Sequence, residues 1–373
     1  MKKKVTILAL HLGYGGIEKY ISSLCQMLED NYEINIISTY KTTPTPAFKF
    51  SENIKIEYLI EDRPYKEEMI EAFKFGQFKK AFKYFKINFY ILRNKTKLNI
   101  EAIKKIDSDY IITTRDFHNE LVGKYAKEGI IKIATEHNHH NNDEKYINNL
   151  VNSVKGFDYF VLVSQELKEF YQDKVGDTKT IHITNVIDNI NDKLINHNHN
   201  IISIGRLAEE KGFEDLIDII KMLKKDVEDI HLDLIGDGPL FRRLEKKISE
   251  LNLEENITLH GFRSKDGIDE EIRKCSLYVM TSHTESFGLV LAEAMSYGLP
   301  CVAFDSAQGA REVITQKNML ITNRNKKQMV ERIKDLFKDE QLASKIGSEN
   351  YEHSKDYLLE NVKEDWIKLL EEK

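Results

Sequence analysis

Glu285 and Glu293 stand eight residues apart in Thr284-Glu285-Ser286-Phe287-Gly288-Leu289-Val290-Leu291-Ala292-Glu293. Each carboxylate can accept paired hydrogen bonds from a sugar or ribose diol. At ~1.5 Å rise per helical residue the pair would span ~12 Å, about the length of a sugar diphosphate. The spacing predicts Glu285 in the turn before a helix, the N–H groups of Phe287, Gly288 and Leu289 facing an anion, and Glu293 two turns inside. Two cations complement these acids: Arg206 and Lys211 follow a β-branched run and precede a helical pattern that begins near Gly212. A guanidinium fork and a movable ammonium suit diphosphate oxygens near a helix N-terminus. A third feature is the turn Gly13-Tyr14-Gly15-Gly16-Ile17-Glu18 after the first apolar run, where glycines let the backbone approach a ligand. Taken singly, each has a plainer explanation. The turn is a tight connection, the cations pair with Glu209 and Glu210, and acids eight apart are common on helices.

The elements that must carry these residues follow from hydrophobic pattern. Short β-branched runs alternate with longer helical stretches, the signature of βαβ units and parallel sheets. Strands are expected at 5–10, 34–38, 110–114, 131–135 and 159–164 in the first half, and at 201–205, 231–236, 257–261, 277–281 and 301–304 in the second. The fold class is therefore α/β, with two Rossmann-like doubly wound parallel-sheet domains. Residues 185–200 are rich in Asn and poor in apolar periodicity, and read as a linker. Ligands of such sheets bind beyond the carboxyl ends of the strands, so two facing units would place a site in the cleft between them.

Composition excludes several classes. Hydrophobic residues at 41% over 373 positions support two sizeable cores, and Lys+Arg 55 against Asp+Glu 61 gives no basic field for nucleic acid. Three cysteines without CxxC spacing indicate neither a disulfide framework nor a thiolate zinc site, and fit a reducing cytosol. The basic start and short apolar run at the amino terminus read as a first buried strand instead of a signal peptide. No stretch approaches the roughly 20 apolar residues that cross a bilayer. Residues 71–97 stand apart, with eight Lys or Arg against one acid and repeated Phe and Tyr. This stretch either lies on an anionic membrane surface or buries its Phe against its own sheet with Lys solvated.

Gly15-Gly16-x-Glu18, Arg206 with Lys211, Gly236-Asp237-Gly238-Pro239, Glu285-x7-Glu293 and Gly298-Leu299-Pro300 occur in that order, and together the chain resembles the retaining nucleotide-sugar glycosyltransferases of GT-B fold, family-four type. The likeness covers nearly the whole chain. It implies an acceptor-binding domain at 1–188, a nucleotide-sugar donor-binding domain at 189–355, and a terminal helix at 356–373 that crosses back to the first domain, with Trp366 as a core anchor. Carried over, Arg206 and Lys211 would hold the diphosphate, Glu293 the ribose and Glu285 the donor sugar, with Ser286, Phe287, Gly288 and Leu289 beside it. Gly15 and Gly16 would approach the phosphates, Phe262 the base, and His137 the donor sugar or reacting centre.

The implied reaction moves a hexose or N-acetylhexosamine from a nucleotide sugar, UDP-linked, to a lipid-linked or polysaccharide acceptor in cell-envelope glycan synthesis. No metal and no further cofactor is implied. The cluster His137, His139 and His140 reads as a solvated polar loop. Asp107-Ser108-Asp109 spells a metal-binding DxD but precedes a strand, and reads as a turn. Gln308-Gly309-Ala310-Arg311-Glu312 lacks the family's second glycine, which leaves the donor sugar's identity open. A double displacement needs a carboxylate nucleophile at the anomeric carbon, for which no candidate stands out. The resemblance implies instead a same-face substitution in which the cations stabilise the departing diphosphate. The expected location is cytoplasmic, or peripheral at the inner face of the plasma membrane. Other readings are a catalytically silent subunit that stabilises a partner enzyme, or a nucleotide-sugar epimerase of the same fold.

Overall fold

The structure is a computed structural model that describes residues 2–194 and 196–372. The chain divides into two units: residues up to Val163 with Leu167–Ile183 and those from Lys363 onward, and Ser164–Glu166 with Thr184–Val362.

In the first unit, β1 (Lys4–Ala9), β2 (Glu33–Tyr40), β3 (Lys55–Ile60), β4 (Tyr110–Thr113), β5 (Ile131–Glu136), β6 (Tyr159–Leu162) and β7 (Lys179–His182) form one sheet of order β3-β2-β1-β4-β5-β6-β7. All pairs are parallel, with Val5 opposite both Ile34 and Tyr110. β1 is apolar on both faces because helices cover both sides; Val5, Ile7 and Leu8 are buried. In the second unit, β8 (Asn200–Ile204), β9 (His231–Ile235), β10 (Ile257–Gly261), β11 (Leu277–Met280), β12 (Cys301–Phe304) and β13 (Leu320–Ile321) repeat the pattern in the order β10-β9-β8-β11-β12-β13. Each unit thus reverses its winding direction beside its first strand, at β1/β4 and at β8/β11, and the crevice of a doubly wound sheet opens there.

The strands that hydrophobic pattern does not announce are β3, β7 and β13. β3 and β7 lie at sheet edges, and β3 exposes Lys55 and Glu57 to water, as an edge that must not recruit another strand does. β13 is only two residues long.

Three local readings gain a physical account. The Asn-rich 185–200 segment is held to the second unit by side-chain amides: Asn191 Nδ2 donates to Ser296 Oγ at 2.8 Å, and Asn196 Nδ2 to the carbonyls of Arg273 and Cys275 at 2.8 and 2.9 Å. The Asp-Ser-Asp turn closes onto β1, since Asp109 Oδ2 accepts from the Lys4 N–H at 2.7 Å and Ser108 Oγ meets Thr6 Oγ1 at 2.6 Å. The helix Leu359–Glu371 gives its last residues to the first unit, where Trp366 is fully buried and the Tyr110 hydroxyl donates to the Leu370 carbonyl. Cys25, Cys275 and Cys301 are buried free thiols, and burial pushes each of them up. No helix among the described residues is long and apolar enough to cross a membrane.

Candidate functional site

The second unit gathers its polar side chains at the carboxyl ends of β8, β9 and β11. After β8, Gly205 donates its N–H to the Ile235 carbonyl and Leu207 to the Asp237 carbonyl, both at 3.0 Å, so the Arg206 loop lies against Gly236-Asp237-Gly238-Pro239. Gly236 has no alternative there: its φ is +145°, and a Cβ would fall 1.8 Å from the Gly205 carbonyl oxygen. This backbone contact aims Arg206 outward. Its side chain is exposed, and its guanidinium has no hydrogen-bond or ion-pair partner among the described residues.

Lys211 follows on a single 3-10 turn, Glu209–Lys211, before the helix Phe213–Leu223. Its ammonium donates to Glu285 Oε2 at 2.5 Å, with side chains 23% and 19% exposed. The local pairing expected of Glu209 does not occur: that acid accepts from Arg243 Nη1 at 2.8 Å. Lys211 and Glu285, seventy-four positions apart, therefore form one half-buried pair at the mouth of the sheet.

The segment 285–293 departs from the expected geometry. Its helix is Leu289–Met295, capped by Gly288 at φ +89°, so Glu293 lies about one turn inside, not two. Residues 285–288 are not helical, and the ~12 Å span obtained from helical rise does not apply to them. Ser286 is buried, Leu289 opens the helix half-exposed, and Glu293 is half-buried. The Phe287 side chain is 1% exposed and packs edge-on to Tyr357 at 5.2 Å, which leaves its backbone N–H as the group able to meet a ligand. Phe262, just after β10, is 68% exposed.

Two further residues support the site: Gly309, the glycine present in the 308–312 run, and Arg324, which carries no motif signal. Gly309 donates its N–H to the Glu285 carbonyl at 2.8 Å, and a Cβ on it would sit 2.4 Å from Phe287 backbone, so this glycine shapes the acid-bearing turn. Arg324 donates to the carbonyls of Ser282 and Thr281 at 2.9 Å each and to Ser306 Oγ at 2.8 Å, and pairs with Asp215. It ties the ends of β11 and β12 to the helix that follows Lys211. Burial raises the Asp215 carboxyl, yet hydrogen bonds from Lys326 and Arg324 outweigh it and hold the group below the usual carboxylate range. Arg324 escapes pattern reading because its φ of +50° and its carbonyl contacts depend on tertiary structure.

In the first unit, Gly15 and Gly16 open the helix Gly16–Leu28 after β1. A Cβ on Gly16 would meet nothing within 4 Å, so the fold itself does not demand glycine at this exposed position. Behind the turn Glu18 is buried, 3.4 Å from His11 Nδ1 and 3.9 Å from Arg115 Nη2. His137 follows β5, its Nε2 3.0 Å from Thr135 Oγ1 and its ring 4.1 Å from that of Tyr20. Burial and then the nearby Arg115 charge lower its pKa to about 3, so the imidazole is neutral at pH 7. His140 stacks on Phe170 at 3.8 Å, and His139 Nδ1 accepts from the Asn141 N–H at 3.0 Å. These rings are occupied by loop structure. Among the described residues, the group whose ligand atoms converge within 4.8 Å is Asp233, His260 and Glu271, where His260 Nε2 meets Asp233 Oδ1 at 2.7 Å.

Residues 187–353 match the family model described as glycosyl transferases group 1. The match takes in less than half of the chain, and the two parallel-sheet units, with their structural neighbours, make the fold GT-B. Among curated proteins, it is 27% identical over 245 residues to poly(glycerol-phosphate) alpha-glucosyltransferase of Bacillus subtilis, covering 62% of this chain and 36% of that protein. It is 28% identical over 264 residues to poly(ribitol-phosphate) alpha-N-acetylglucosaminyltransferase of Staphylococcus aureus, covering 65% and 50%. The chain spans only 36%, 39% and 55% of the first three curated relatives. Among solved structures, TarM superposes with a TM-score of 0.79 at 16% identity over 100% of this chain and 99% of that one. HepE of Anabaena, solved with UDP and glucose, gives 0.73 at 19% over 100% of both. At these identities the structures speak for the fold alone. Four of the five ordered motif groups, from Arg206 to Pro300, fall inside the matched residues 187–353.

Proposed function

We propose that the protein transfers a hexosyl or N-acetylhexosaminyl group from a UDP-sugar to a lipid-linked or polysaccharide acceptor in bacterial cell-surface glycan synthesis, with retention at the anomeric carbon. The observation that carries this reading is Arg206, exposed and without a side-chain partner among the described residues, beside the Lys211–Glu285 pair, within the region that matches the group 1 glycosyltransferase model. The relatives named for glucosyl and N-acetylglucosaminyl transfer to teichoic-type polymers support the acceptor class, and HepE with UDP and glucose supports the nucleotide.

In this reading Arg206 and Lys211 stabilise the diphosphate as it leaves, and that charge in turn withdraws the acceptor proton. Glu285, already hydrogen-bonded to Lys211, orients the ammonium and receives a donor sugar hydroxyl. Glu293 binds the ribose diol and Phe262 stacks on the base. Ser286, Gly288 and Leu289 line the donor through backbone N–H groups. His137, neutral, accepts or donates one hydrogen bond at the donor sugar without acting as a cation. Because two side-chain cations neutralise the diphosphate, the reaction needs no metal or other cofactor, and EDTA leaves turnover unchanged.

The test is nucleotide release from UDP-glucose and UDP-N-acetylglucosamine with and without a bacterial membrane lipid extract. Release that rises with extract and is lost in Glu293→Ala supports transfer. Interconversion of the sugar without UDP release would replace transfer by epimerisation, and no turnover of any kind would leave a silent subunit.

A further inference from the structure

Nine large hydrophobic side chains between residues 70 and 92 are exposed, out of twelve among the described residues. They sit on a helical hairpin of the first unit, Lys66–Lys74 and Phe78–Lys105, which turns at Gly76. Of the two expectations for this stretch, burial of Phe against the sheet does not hold. The side chains that the long helix buries are Ala81, Ile91, Asn99 and Ile103, with Ile87 and Leu98 packed against Tyr40 and Ile60. Phe73, Phe75, Phe78, Phe82, Phe85 and Phe89 are each more than half exposed.

The exposed residues are ordered. Phe78, Phe82, Phe85, Phe89 and Leu92 recur at steps of four and three and form one stripe along the helix. The ring centroids of Phe82, Phe85 and Phe89 are 6.4 and 6.3 Å apart in succession, and Phe73 meets Phe78 edge-on at 5.6 Å, so the patch is continuous across the hairpin. Each stripe position is followed by its neighbour in a second stripe: Lys79, Lys83, Lys86, Tyr90 and Arg93, about 100° round the helix. No acid occurs from 72 to 100.

We propose that this hairpin face docks on an anionic lipid bilayer, with the Phe stripe in the acyl boundary and the basic stripe at the headgroups. The four-three spacing of the Phe stripe also suits a helical seam with a second copy. Such a seam, however, would bring two basic stripes together with no acid on either to offset them, whereas an anionic surface complements every cation in the stripe. The proposal is independent of the sugar-transfer reading, since it is measured without donor or acceptor.

The experiment is co-sedimentation of the full chain with vesicles of phosphatidylcholine alone or of equimolar phosphatidylcholine and phosphatidylglycerol, with light scattering for oligomeric state. Binding is expected to the anionic vesicles and to weaken from 0.1 M to 1 M salt as the Debye length falls from ~10 to ~3 Å. Phe82→Ser, Phe85→Ser and Phe89→Ser combined should abolish it, each lost ring costing about ten-fold or more. Lys79→Gln, Lys83→Gln and Lys86→Gln combined should weaken it about 100-fold, near five-fold per charge. Both variants should keep the parent melting temperature, because the substituted side chains are exposed. Failure to sediment with anionic vesicles, or binding that the Phe variant retains, overturns the proposal. So does a dimer that the Phe variant dissociates, which would assign the face to a second copy.

Discussion

Removal of the Lys211 ammonium should separate two roles that the structure joins in one contact. With side chains 23% and 19% exposed, the Lys211–Glu285 pair lies between a solvated surface pair, about 0–1 kcal/mol, and a fully buried one, whose breaking costs about 3–5 kcal/mol. Lys211→Ala should therefore destabilise the second unit by roughly 2 kcal/mol, mostly because Glu285 is left without its partner. For a unit of this size that lowers the melting transition by about 4–8 °C. Loss of one preorganised group opposite developing leaving-group charge costs ~10²–10³ in turnover. The double variant Lys211→Met with Glu285→Gln separates the effects, since it removes both charges at similar volume: stability should return toward the parent while turnover stays low. The assay is differential scanning fluorimetry beside UDP release from donor. Unchanged turnover in Lys211→Ala refutes the assigned role. Recovery of activity together with stability in the double variant refutes it equally, because the pair would then be structural only.

Glycines 16 and 309 should respond in opposite ways. Gly16→Ala meets open space and should leave the melting temperature unchanged while raising KM for donor, whereas Gly309→Ala, which collides with Phe287 backbone, should destabilise by about 1–3 kcal/mol. Equal effects in fluorimetry would contradict the distinction. Because His137 is neutral down to about pH 3, kcat/KM should show no inflection from it near 6.5, and a His137→Gln variant with an unchanged profile from pH 6 to 8 would agree. The Asp215 carboxyl is depressed in the folded state, so its stabilisation is fully present above the unfolded value of about 3.9 and is lost as pH falls through the lower folded value. Acid unfolding of Asp215→Asn should start from lower stability and show a smaller dependence in that window. Arg324→Lys should not restore what Arg324→Leu loses, since one ammonium cannot reach the Thr281, Ser282 and Ser306 acceptors together. Melting curves of the two variants that differ widely would refute this.

Much of the fold was legible because buried parallel strands are written as continuous apolar runs, as in β1, β4 and β11. β3 and β7 were illegible for the converse reason: edge strands mix polar side chains into short runs, and pairing with a single neighbour sets their register. In the site, the order of short motifs was informative where each alone was not. The pairing of Lys211 with Glu285, the exposure of Arg206 and the inward turn of Phe287 arise from which strand ends adjoin. Helical spacing does not hold at 285–288 because Gly288, in the left-handed region, delays the helix start. Gly309 stood in a motif, but its contact with the Glu285 turn, like the role of Arg324, depends on partners at distant positions in the chain.

The proposed binding of a UDP-sugar through Glu293 and its neighbouring cations is tested by a thermal-shift panel of UDP, GDP, ADP and UDP-sugars. A nucleotide at 100 times its dissociation constant stabilises the native state by ~2.7 kcal/mol, about 5–10 °C here. UDP and UDP-sugars should stabilise selectively, and the shift should disappear in Glu293→Ala. Equal shifts for all three nucleotides, or a UDP shift that survives Glu293→Ala, would contradict it.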